Sequence, residues 1–166
     1  MNSYRNTLLL TALVGCLVLM PFSARAVEAP HEESHAHDVA GIAQLQFDDD
    51  RKWPTDASLR SGMASIRSAF EADHAAIHAG RETPAQFETL AGRIEPQIQM
   101  ILQQCKLPPA ADANLHFVIA DLMRGVSQMR GQDPAITRHD GAALVHGALE
   151  AYGKYFDDPQ WSQGAP

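Results

Sequence analysis

The sequence predicts an all-α fold: an antiparallel up-and-down four-helix bundle preceded by a signal peptide and a flexible His-rich arm. Three observations carry that expectation. From residue 56 onward, apolar residues recur at three- and four-residue spacing in four separate stretches. Short connections containing Gly or Pro join the stretches, as links between antiparallel neighbours require. No segment alternates with period two over a useful length, and no Asn-Gly hairpin signal occurs. With 166 residues, 45% of them hydrophobic, the chain is long enough for one domain with a real core.

The elements follow in order. Residues 1–26 open with Arg5, continue through an apolar run from Thr7 to Met20 and close on Ser23, Ala24, Arg25 and Ala26. A basic start, a short apolar stretch and a small-x-small end form a secretory signal peptide. Cleavage after Ala26 would start the mature chain at Val27. The run is too short for a membrane span, and no second one follows. A competing reading is a lipobox at Leu13-Val14-Gly15-Cys16, with lipid on Cys16. Against it, the apolar run continues through Leu17, Val18, Leu19 and Met20. Export to a bacterial periplasm is the expected location.

Residues 27–52 show no sustained period and carry His31, His35 and His37 among acids, ending in three aspartates. They are predicted to form a charged, flexible arm. The bundle is expected over 53–161, with 162–166 as a tail. Asp56 can cap a first helix with Leu59, Met63, Ile66, Phe70 and Ile77 on its stripe and Gly80 as its stop. Thr83-Pro84 is a cap and first-turn pair for a second, with Phe87, Leu90, Ile94, Ile98, Ile101 and Cys105. Pro96 inside that stripe predicts a kink, since the period resumes beyond it. The third stripe runs Leu115, Ile119, Leu122, Val126, Met129 and ends before Gly131. The fourth covers about 138–156, and Asp157-Asp158-Pro159 stops it.

Charge and motifs narrow the function. Twenty acids against 13 Lys and Arg give a net charge of −7. Residues 1–26 hold two arginines and no acid, so the mature chain carries −9. That excludes the electrostatic footprint of a nucleic-acid or anionic-lipid binder. There is no Cys-x-x-Cys-His for covalent haem, no His-Glu-x-x-His, no Gly-x-Ser-x-Gly and no phosphate-binding glycine loop. No nucleophile stands with a base, so the chain reads as a non-enzyme.

In an antiparallel bundle Met63, Cys105, His116 and Tyr155 map to one pole. A thioether, a thiol and an imidazole are a soft donor set, suited to copper rather than to Mg, Ca or Mn. Met63 alone is first of all a core residue, and His116 alone an edge histidine; their joint placement with Cys105 points to a metal. Depth counts against it, because Met63 lies about 9 Å inside its helix at 1.5 Å per residue. Cys105, the one cysteine left after cleavage, has three fates: buried small hydrophobe, ligand, or inter-chain disulfide in a homodimer. Towards the other pole His74 and His78 are four apart on one face, joined by His139 and His146. They form a weaker metal set that a solvated helix face explains equally. The arm histidines are a compositional metal signal.

Three stretches carry a resemblance: 53–63 (WPTDASLRSGM), 105–116 (CKLPPAADANLH) and 155–161 (YFDDPQW). With the His-rich arm they resemble the DnrO-like group of small exported proteins of Gram-negative bacteria. That group has no firmly assigned activity, so the resemblance implies location more than chemistry. It also implies that Met63, Cys105 and His116 sit in motif segments. The expected function is periplasmic copper buffering or tolerance. The alternatives are a cofactor-free helical interaction module and a b-type haem electron carrier using Met63 and His116 as axial ligands.

Overall fold

A computed structural model describes residues 41–161 of the chain. The signal peptide, the arm as far as residue 40, with His31, His35 and His37, and the tail 162–166 lie outside the described residues. Within them the fold is all-helical: α1 (Ala57–His78), α2 (Pro84–Gln104), α3 (Pro109–Met129) and α4 (Arg138–Tyr155), preceded by one 3-10 turn at Gly41–Gln44.

Local chemistry sets the ends. Asp56 caps α1 by accepting the Leu59 N–H at 2.7 Å. Thr83 and Gln86 form a capping box with Pro84 in the first turn, and Thr137 with Asp140 forms another on α4. At the far ends Gly80 (φ 63°) and Gly131 (φ 72°) adopt the left-handed conformation that only glycine reaches without strain. Each closes a Schellman motif, with Arg81 N–H donating to Ala76 O and Gln132 N–H to Ser127 O. Helix α2 runs on through the exposed Pro96.

Pairings across the seams show how the helices lie. Gly62 faces Met100 and Ile101, Arg93 pairs with Asp73, and Lys106 N–H reaches Asp56, so α1 and α2 run antiparallel. Arg130 meets Glu88 and Glu95 across α2 and α3. Gly125 abuts Gly141 and Val145 across α3 and α4. Phe70 stacks on His146 where α4 meets α1. Most stripe residues predicted for the core are in it: Leu59, Met63, Ile66, Leu90, Ile94, Leu122 and Val145 are completely buried, whereas Cys105 is only half-buried.

One stretch departs from expectation. Residues 41–52, predicted as part of the arm, are docked on the bundle. Asp121, fully buried on α3, accepts the N–H groups of Gly41 at 2.9 Å and Ile42 at 3.0 Å. Gln46 N–H donates to Asn114, Leu45 is buried, and the Trp53 indole N–H donates to Gln46 O at 2.7 Å. Ile42, Leu45 and Phe47 ahead of three aspartates leave no sustained period, and a buried carboxylate 80 residues away supplies the anchor.

Candidate functional site

The three segments that carry the resemblance are far apart in sequence and meet at one end of the bundle. Trp53 N–H donates to Tyr155 O, and Asp157 N–H to Trp53 O, both at 2.8 Å. The Thr55 hydroxyl donates to Asp157 O at 2.7 Å. Segments 53–63 and 105–116 are tied through Asp56, which accepts Lys106 N–H at 2.6 Å while capping α1. Segment 155–161 folds back over α4: Tyr152 donates to the buried Asp158, and Trp161 packs edge-on against Tyr152 at 4.7 Å. Gly153 makes this possible, since a Cβ there would stand 2.2 Å from the Trp161 indole nitrogen.

Cys105 terminates α2 at this pole, half-buried and not in a disulfide. The Asp56 carboxylate lies beside its thiol. Burial, the Asp56 carboxylate and then Asp112 push the thiol up to about 12. Desolvation opposes ionisation of Asp56 in turn, but the Leu59 and Lys106 N–H groups and the thiol outweigh it and hold that carboxyl below its usual range. The result is a protonated sulfur facing two acidic groups.

His116 stands one helical turn beyond Asp112. Its Nδ1 lies 2.8 Å from Asp112 O and 3.5 Å from Asp112 Oδ2. A carbonyl only accepts, so Nδ1 carries the hydrogen in the neutral ring and the Nε2 lone pair is left for an outside partner. The ring is 59% exposed.

Met63 is placed differently. Gly62 lies against Met100 and Ile101, so Met63 sits about one turn below Cys105, with no exposed surface. The depth offset expected from the sequence therefore persists, because α2 stops at Gln104. The structure brings Cys105 to Asp56 and places Asp112 beside His116; it does not bring Met63 to the surface with them. A haem reading needs Met63 and His116 on one slot, and one is sealed in the core while the other faces solvent. Asp56, read from sequence only as a cap, and Asp112 were missed as site residues. The four-residue spacing of Asp112 and His116 was the available signal for the second.

His74, His78, His139 and His146 are all exposed on α1 and α4. Among the described residues no group of three or more His, Cys, Asp or Glu side chains is gathered closely enough to hold a metal ion. No described helix is long and apolar enough to cross a membrane. Comparison with protein-family models, curated proteins and solved structures found no match to this chain.

Proposed function

We propose that the mature chain, 27–166, is an exported copper-binding protein that buffers the ion in the periplasm, with Cys105 and His116 as its principal donors. The observation that carries this reading is the end of the bundle where segments 53–63, 105–116 and 155–161 are bonded to one another, with the Cys105 thiol beside the Asp56 and Asp112 carboxylates. Burial is the largest cause of the raised thiol, but the Asp56 and Asp112 carboxylates that add to it also favour a cation in the proton's place. Binding then exchanges one proton for one ion: the S–H bond breaks, the copper–sulfur bond forms and the proton leaves to solvent. Asp112 orients the His116 ring, since a ligating histidine ordinarily donates its other N–H to a carbonyl or carboxylate. His116 does so already. Met63 forms the apolar floor beneath, and His31, His35 and His37 of the arm are auxiliary donors.

The test is a competition titration of the reduced chain with copper. One ion per chain is expected, held on the order of a hundredfold less tightly in Cys105→Ser and about tenfold less in His116→Ala. Because the free thiol is protonated throughout the neutral range, apparent affinity should rise about tenfold per pH unit there. Wild-type affinity in Cys105→Ser contradicts the reading. A second reading, a cofactor-free helical interaction module, draws on the exposed apolar side chains Leu102 (45%) and Met123 (48%) on α2 and α3. It predicts a tight complex or dimer that Leu102→Asp weakens and copper leaves unchanged.

A further inference from the structure

The seam between α1 and α4 carries a second cluster of imidazoles, away from Cys105. His74 on α1 and His146 on α4 have ring centroids 5.6 Å apart, and His78, one turn along α1, lies 6.2 Å from His74. A metal bound at about 2.1 Å stands roughly 3.2 Å from an imidazole centroid, so two rings on one ion lie about 5.2 Å apart at the tetrahedral angle and about 6.4 Å apart when opposed. Both observed separations fall within that window. The His146 ring lies parallel to that of the buried Phe70, 5.6 Å away with 8° between the planes. His74 and His146 both line a cleft of about 270 Å³, with Glu71 and Glu150 among the other residues of its wall. The cation in the cleft, Arg67, is already engaged with Glu71 at 2.6 Å and with Trp161 O at 2.7 Å.

We propose that His74 and His146 bind one divalent transition-metal ion of the zinc class across the α1–α4 seam, with water completing its shell. The ion would join the first helix to the last, and its borderline nitrogen chemistry distinguishes it from the sulfur site at Cys105. The inference does not rest on that site.

The test uses the full chain carrying Cys105→Ser together with His31→Asn, His35→Asn and His37→Asn, so that neither the thiol nor the arm contributes. Zinc is titrated by calorimetry while the imidazole nitrogens are followed by NMR. One ion per chain is expected, shifting His74 and His146 together. His74→Ala or His146→Ala should each weaken binding about tenfold or more, and His139→Ala should leave it unchanged. All three positions are exposed, and a retained helical circular dichroism spectrum confirms that the variants fold. Unchanged zinc affinity in the His74→Ala/His146→Ala double variant overturns the proposal. So does a spectrum in which His146 stays silent while other rings shift.

Discussion

The Cys105 thiol and the two carboxylates near it determine what a reagent or an ion meets at this pole. At pH 8 a thiol pushed up to about 12, against an ordinary value of 9.0, should be alkylated on the order of a thousandfold more slowly than a free cysteine. Asp56→Asn keeps the cap, since Asn serves at that position as well as Asp, but removes a charge from beside the sulfur. Alkylation should therefore accelerate at least tenfold in that variant, measured by mass spectrometry of iodoacetamide adducts; an unchanged rate would disconnect Asp56 from the thiol. Asp121 anchors residues 41–52 in the same single-residue way. Asp121→Ala would leave the Gly41 and Ile42 N–H groups without their acceptor and Arg124 without its 3.4 Å ion-pair partner. The expected cost is about 2–4 kcal/mol in urea unfolding, with faster proteolysis near residues 41–52.

Helix boundaries were legible because they are written locally. Asp56, Thr83-Pro84, Gly80 and Gly131 act on groups within a few residues, and each stands where the sequence placed a start or a stop. How closely two helices approach is decided by residues that meet only after folding, and the α3–α4 seam shows it. A Cβ on Gly141 would lie 2.7 Å from the Met129 backbone nitrogen, and one on Gly125 2.7 Å from the Gly141 carbonyl oxygen. Neither glycine interrupts its stripe, so nothing in the spacing marks them as a contact. Gly141→Ala should destabilise the chain by about 1–3 kcal/mol, since backbone must move to admit the methyl. Gly92→Ala, on an open face of α2 with nothing within 4 Å, should stabilise it by about 0.5–1 kcal/mol. Thermal unfolding of the pair separates close helix approach from simple propensity. Equal shifts would contradict the close-approach account.

At the scale of the molecule, the candidate site is an end of the bundle where the first described loop, the α2–α3 connection and the segment after α4 are bonded to one another. Helix order and direction sufficed to assign Cys105 and His116 to that pole. The depth of Met63 depended on register, which Gly62 against Ile101 fixes and spacing along one helix cannot. Asp56 was legible as a cap but not as a partner of the thiol, because its second acceptor contact crosses 50 residues to Lys106. The segment 41–52 was misread for a related reason: its anchor is a buried aspartate on α3 rather than anything in its own pattern. The central claim is that copper goes to sulfur at this pole and not to the histidines alone. X-ray absorption at the copper edge, on the full chain loaded with one equivalent, tests it most directly. A sulfur neighbour that disappears in Cys105→Ser is the predicted result; a shell of nitrogen and oxygen alone, the same in both proteins, would contradict it.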